Sequence, residues 1–470
     1  MISQNFSGAC LLRMCGLVPC RKGLASCLNR TLLTMKRPHT TSIFRNTLEE
    51  RLTGSVETST QTLPKRFRLQ TFSSLAYLDY RYLWTGTLMM SAGQWVQQVA
   101  LGWLVYELTG SSVLLGLLNG LRALPFLVTG PIAGVAADRM DRRQLMLRTQ
   151  YVLIVTAFLM GALVASGWLQ VWHIFVFTLI TGIGWSFSEP VRQSLIPSVV
   201  PKAELANAIA LNSAGFNLMK VIGPALGGVM IAVFGAAGNF WVQGAAYVVV
   251  LYMIQLMHVP PTRADVLRAS AMANLKEGFA YVRSTPTVLA LMILAYVPRV
   301  FAVPYQTLMP VFQKDVLQVG PEGLGLLMAA PGLGAVLAVL TLASISSRIK
   351  RQGLTLIAST IMLGLSLILF SQIKTFHLAL IVLVIAGAFQ MVFLASTSTM
   401  LQLIVPDELR GRVMSLYMLD RGLMPAGALF AGVVAHLVGA PLAVTSMGAI
   451  VVVLTLLVAW RVPHIRKLQS

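Results

Sequence analysis

From Tyr82 onward the chain is a succession of apolar runs, most of them twenty residues or longer, separated by short gaps. A bilayer core about 30 Å thick is crossed by roughly 20 apolar residues in a helix. Inside hydrocarbon each backbone N–H and C=O must find a partner within the protein, so only helices and closed barrels span it. Continuous runs of this length predict helices, about twelve of them. They lie near 82–107, 112–136, 146–167, 170–190, 207–234 and 236–258, then, after a more polar stretch from Pro260 to Pro286, near 287–313, 322–345, 353–373, 376–399, 411–437 and 440–460. Only 11% of the residues are charged and the mean hydropathy is +0.75. A soluble domain carries about 25% charged residues.

The net charge of +20 raises nucleic acid as a partner. Its distribution excludes that reading, because the basic residues occupy alternate gaps. One set holds Arg139, Arg142 and Arg143; Arg192 and Lys202; Arg263, Arg268, Lys276 and Arg283; Arg348, Lys350 and Arg351; and Arg410 and Arg412. Arg66 and Arg68 before the first run, and Arg461, Arg466 and Lys467 after the last, belong with them. The intervening gaps hold only Lys314 and Lys374. Lys and Arg collect on the cytoplasmic side. An even number of crossings with both termini cytoplasmic, in the plasma (bacterial inner) membrane, is expected.

All four cysteines (Cys10, Cys15, Cys20, Cys27) fall in the first thirty residues, so neither a disulfide framework nor a metal site is expected in the membrane body. Residues 1–70 are rich in Arg, Lys, Ser and Thr, with no acid before Glu49. They read as a disordered or non-native extension, with some features of a transit peptide.

The two halves resemble each other. Leu-Gly-Leu-Leu at 115–118 recurs at 324–327, and at the same offset Arg139 meets Arg348 and Arg142 meets Arg351. Pro-Lys-Ala-Glu-Leu at 201–205 recurs as Pro-Asp-Glu-Leu at 406–409. Parallel repeats with a substrate site between them are one way transporters are built. The expected division is an extension 1–70, a six-helix bundle 71–258, a cytoplasmic central loop 259–286, a second bundle 287–461 and a cytoplasmic tail 462–470.

The most specific motif is Gly134-Val-Ala-Ala-Asp138-Arg139-Met-Asp141-Arg142-Arg143, at the cytoplasmic end of the second run. A positive-inside loop explains its arginines but not the spacing of Gly134 and Asp138. Gly134 permits close helix approach. Asp138 suits the positive N-terminus of a neighbouring helix. The segment resembles the signature loop of the major facilitator superfamily, G-x-x-x-D-R-x-x-R-R. Trp103-Leu-Val-Tyr106-Glu107-Leu-Thr-Gly-Ser111, Pro125, Gly130-Pro131 and Gly223-Pro224-Ala-Leu-Gly227-Gly228 are similar to the third drug:proton antiporter branch, which includes the enterobactin exporter and macrolide efflux proteins. The resemblance covers about 72–460. It implies an all-α membrane protein of two pseudo-symmetric six-helix bundles, a transporter rather than an enzyme, and proton-coupled efflux of a small organic solute, siderophore-like or drug-like, with no cofactor and as a monomer. It also implies a conformational switch at Gly134, Asp138, Arg139, Arg142 and Arg143, with Asp138 docking near Arg412 and Met414 and with Arg192 as a further partner. Asp141 stands where many members have glycine. The Gly223-Pro224-Ala-Leu-Gly227-Gly228 motif marks exporters by resemblance; by its residues alone it is a packing bend. An importer, or a lipid-handling or non-transporting scaffold on the same fold, is the competing reading.

Ionisable residues inside apolar runs are costly and face cavities or partners. Arg122, Lys220, Arg299, Asp420 and Arg421 fall ten to thirteen residues into their runs, near mid-depth. They are candidates for the substrate pathway or for structural pairing. Asp420, then Glu189, are the candidate proton-coupling groups. Gln94 and Gln98 share a helix face in the first run and either bind substrate or bridge helices. The histidines are scattered, and no nucleophile–base pair or phosphate-binding loop accompanies them.

Overall fold

The structure, a computed structural model, describes residues 71–258, 271–345 and 351–467, with all their side chains except those of 127, 130, 131, 134, 135, 137–139, 271–275, 420, 421, 465 and 467. The N-terminal extension and its cysteines lie outside these residues.

Helix α1 (Leu78–Thr109) ends because Gly110 turns left-handed (φ 59°), which places its N–H 2.8 Å from the Tyr106 carbonyl. Ser111 then caps α2 (Ser112–Arg139) by accepting the Leu114 N–H. Asp141, at the site where a glycine is common, caps α3 (Arg142–Ala165) by accepting the Arg143 N–H at 2.9 Å. Arg142 and Arg143 therefore open a helix. α4 spans Val171–Val199. α5 (Leu205–Leu256) is too long for one pass and breaks at Gly235, φ 68° and ψ 175°, between the two expected runs.

After the undescribed stretch, α6 (Ala271–Ser284) occupies part of what the sequence reads as a loop. Gly278 lets it approach the Arg412 backbone, and Glu277 pairs with Arg412. α7 (Pro286–Phe301), α8 (Pro321–Ile345), α9 (Gln352–Gln372), α10 (Phe376–Ile404), α11 (Asp407–Met418), α12 (Met424–Val438) and α13 (Ala440–Arg461) follow. Among the described residues eight helices are long and apolar enough to cross a membrane, one of them the double-pass segment Lys202–Leu256.

Two expected spans are broken. The seventh leaves α-helix after Phe301, passes through a 3₁₀ segment Val303–Leu308, and closes in a π turn at Phe312–Val316. Pro298, Pro304 and Pro310 permit this, since each lacks the N–H that continues a helix. The eleventh, expected as one run over 411–437, divides into α11 and α12 around a 3₁₀ turn Leu419–Gly422, with Pro425 just beyond it. Asp420 and Arg421 sit on that turn.

Buried apolar residues form three clusters. One includes Tyr80, Leu153, Trp185 and Tyr247, all from the first half, at the end of the bundle carrying the basic loops. A second includes Leu291, Leu356, Phe393 and Tyr417, all from the second half, at the same end. The third unites both halves at the opposite, bare end, through Val105, Leu115, Phe240, Tyr305, Phe312, Phe370 and Leu383. The halves therefore share one core at the bare end and keep separate cores at the basic end.

Candidate substrate cavity

The bare end is held by backbone approach and by polar contacts. Ser112 Oγ donates to the Gly432 carbonyl at 2.9 Å. Gly116 and Gly432 let α2 and α12 touch, because a methyl on Gly432 would lie 3.1 Å from the Gly116 Cα. Gly228 and Gly325 do the same for α5 and α8, a methyl on Gly228 falling 2.8 Å from the Gly325 Cα. Gly116 and Gly325 are the glycines of the repeated Leu-Gly-Leu-Leu. Gly228 and Gly432 stand at equal distances beyond the repeated Glu204-Leu205 and Glu408-Leu409. One encounter is thus made twice, with the roles of the halves exchanged. Nearer the surface, the Tyr106 hydroxyl donates to Asp315, and Lys314 pairs with Glu107 at 2.8 Å.

Inward of this closure lies a narrow cavity between the halves. α1 contributes Gln98, α2 contributes Asn119 and Arg122, and α4 contributes Thr178. Gln306 and Thr307 come from the 3₁₀ segment of the seventh span. Unwinding by proline therefore brings polar side chains to the cavity wall. Asn119 Nδ2 and the Thr178 hydroxyl donate to carbonyls of their own helices, Leu115 and Ile174.

Of the residues singled out in the sequence, Gln98 and Arg122 line this cavity and Gln94 does not. Gln97 bridges helices instead: it accepts from Gln243 Nε2 at 2.5 Å and donates to Thr181 at 3.3 Å. Lys220 and Arg299 do not line it; the Lys220 backbone lies where α5 meets α8. The Gly-Pro motif shapes this place directly. Pro224 has no N–H for the carbonyl four residues earlier, which is that of Lys220, and Gly332 of α8 packs over that carbonyl. Gly223 and Gly227 seat α5 against Trp95 and Val96 of α1.

Arg192 is buried, pairs with Glu189 of its own helix and approaches Met90 Sδ at 3.8 Å. Gln193 also donates to Glu189, at 2.7 Å. Arg143 donates to the Gln255 carbonyl at 2.6 Å. The residues expected around Asp138 thus have partners of their own, Arg192 with Glu189 and Arg412 with Glu277. The side chains of Gly134, Asp138 and Arg139, and of Asp420 and Arg421, lie outside the described residues. Asn119, Thr178, Gln306 and Thr307 are not singled out by the sequence reading, which weighs charge. Asn119 is three residues before Arg122, on the same helix face, and that spacing is the signal that finds it.

Residues 69–470 match the family described as transmembrane secretion effector. The chain is similar to the staphyloferrin A transporter of Staphylococcus aureus, at 26% identity over 80% of this chain and 94% of that one. It is similar to the multidrug efflux pump Tap of Mycolicibacterium fortuitum, at 26% identity over 75% and 88%. Macrolide efflux protein A of Streptococcus pyogenes is 22% identical over 77% and 90%. Among solved structures, an inward-facing bacterial homologue of the human lysosomal transporter Spinster superposes with a TM-score of 0.65 at 16% identity, covering 83% of this chain and 98% of that one. A peptide transporter POT gives 0.67 at 12% identity, over 83% and 95%. These two share the fold.

Proposed function

This chain belongs to the transmembrane secretion effector family of the major facilitator superfamily, and from that membership we propose that it exports a small organic solute across the plasma membrane by alternating access, driven by protons. The observation that carries the reading is the arrangement of the cores: one shared at the bare end, two separate at the basic end, with a polar cavity between the halves. By the positive-inside rule the basic end is cytoplasmic. The state is then closed to the outside, with the cavity placed to take its solute from the cytoplasm. Export requires the bare-end closure to open while the separate cores meet.

The substrate pathway in this reading comprises Gln98 and Arg122 with Asn119, Thr178, Gln306 and Thr307. The broken seventh and eleventh spans fit the same role, since discontinuous helices in transporters surround the site near the membrane midplane. Proton coupling falls to Asp420, which stands on the 3₁₀ turn of the eleventh span. Glu189 is the weaker choice, because it is engaged by Arg192 and Gln193. The multidrug and macrolide efflux named for two of the relatives supports the choice of an organic solute and of efflux over import.

The test is solute flux in proteoliposomes of defined orientation. Solutes accumulated by cells lacking the gene are loaded on the cytoplasmic side under an imposed proton gradient. Gradient-dependent movement toward the bare-end side is expected. Absence of movement for every accumulated solute, in vesicles holding folded protein, removes the transporter reading.

A further inference from the structure

We propose that α6 is a lipid-contact element, whose exposed face binds the headgroups of anionic phospholipids at the cytoplasmic surface of the membrane while Phe279 enters the acyl boundary between two cations.

The helix is divided by its partners. Gly278 approaches the Arg412 backbone, Val282 is buried in the core of the second half, and Tyr281 packs on that core. These residues hold one side of α6 against α7 and α11. Lys276, Phe279, Ala280 and Arg283 are exposed. At 3.6 residues per turn these four fall within about 100° of the helix circumference. A cation, an aromatic ring and a second cation therefore share one face.

The charge on that face is uncompensated. Glu277, the one acid in the sequence of α6, pairs with Arg412. Asp407, at the start of α11, is held by Arg410. Among the described residues no acid pairs with Lys276 or Arg283. Phe279, between them, is 60% exposed, and an aromatic ring gains free energy by leaving water.

Position decides what covers this face. Arg283 is three residues before Pro286, the first residue of α7, so it lies within about 11 Å of that helix along the chain. α6 is thus tethered where the seventh span begins. This is the end of the bundle that carries the basic loops, and the cytoplasmic leaflet presents anionic lipid. The positive-inside rule accounts for cations anywhere in the stretch before α7, but not for their sharing a face with Phe279. Cations flanking an aromatic ring on one helix are the pattern of a helix lying in the membrane interface. A soluble acidic partner would answer the charges and leave the position of the ring beside the bilayer unexplained.

The experiment uses the full-length protein in lipid nanodiscs, its four cysteines replaced and Ala280→Cys carrying a fluorescent dye. Acrylamide, an uncharged quencher, reports whether the dye is in water. In phosphatidylcholine discs the dye should be quenched freely, and quenching should fall several-fold as phosphatidylglycerol is mixed in. Lys276→Gln and Arg283→Gln should each raise the phosphatidylglycerol fraction that gives half protection by about fivefold. Phe279→Ser should lose most of the protection. Lys276→Arg combined with Arg283→Lys keeps both charges and should behave as the parent, which separates loss of charge from loss of fold. Inorganic phosphate and polyglutamate, added separately to the phosphatidylcholine discs, should protect nothing. Quenching that phosphatidylglycerol leaves unchanged, protection that both Gln variants keep at the parental lipid fraction, or equal protection by phosphate or polyglutamate would overturn the proposal.

Discussion

Gly116 of α2 lies against Gly432 of α12 so closely that a methyl on Gly432 would stand 2.5 Å from the Ser112 carbonyl. The same contact recurs between Gly325 and Gly228, and the internal repeat relates the two. Real side chains do not tolerate such distances, so substitution must separate the helices. Gly432→Val and Gly228→Val are expected to disfavour the state closed at the bare end. The check is modification of a cysteine at Gln306, in a chain otherwise stripped of its four cysteines, by an impermeant maleimide added outside. Labelling should rise several-fold over the parent in each variant. Unchanged labelling in both would show that the crossings do not govern this closure.

The surface contacts over the crossings should matter unequally. Lys314 and Glu107 are each a little under half exposed, and exposed ion pairs contribute about 0.2–1 kcal/mol. Glu107→Lys should raise the Gln306 labelling by no more than about fivefold, and Glu107→Lys with Lys314→Glu should restore it. The Tyr106 hydroxyl meets a carboxylate and is better shielded. Tyr106→Phe should have the larger effect, since a hydrogen bond to a charged group is worth about 1.5–3 kcal/mol. The ordering of the two variants is the measurement that counts.

Glu189 and Asp420 are separated by what each loses. Arg192 is buried and Glu189 is its ion-pair partner, so Glu189→Gln should destabilise the protein by about 1.5–3 kcal/mol. Its remaining transport should still depend on the proton gradient. Asp420→Asn should keep stability closer to the parent and lose the gradient dependence. The readouts are unfolding in detergent and flux with and without the gradient. Gradient dependence lost in Glu189→Gln and kept in Asp420→Asn reverses the assignment.

Gln97, Gln243, Thr181 and Tyr247 form a buried network joining α1, α4 and the second pass of α5. Gln97→Leu removes both interhelical bonds of Gln97 and leaves the Gln243 amide only the Tyr247 oxygen, at 2.9 Å. Interhelical hydrogen bonds in membranes are worth roughly 0.6–1.7 kcal/mol, so a loss of that size per bond is expected in detergent unfolding. Gln94→Leu, on a half-buried residue outside the network, should cost less.

The sequence alone determined that the chain crosses a membrane repeatedly, because hydrocarbon admits few alternatives for a backbone and the length of each apolar run is set by the bilayer. It also determined the break at Gly235, the Thr-Gly-Ser turn between α1 and α2, and the repeat, since each depends on residues close together in the chain. Tertiary structure alone decided the breaks in the seventh and eleventh spans. A proline permits a bend, but packing of the neighbouring helices decides whether the helix continues past it. Tertiary structure also decided that Gln98 faces the cavity while Gln97 joins helices, although the two are adjacent. The partners of Arg192 and Arg412, and the meeting of Gly116 with Gly432, belong to the same class. Those choices depend on which helix lies opposite, and contacts between residues hundreds of positions apart leave no local pattern to read.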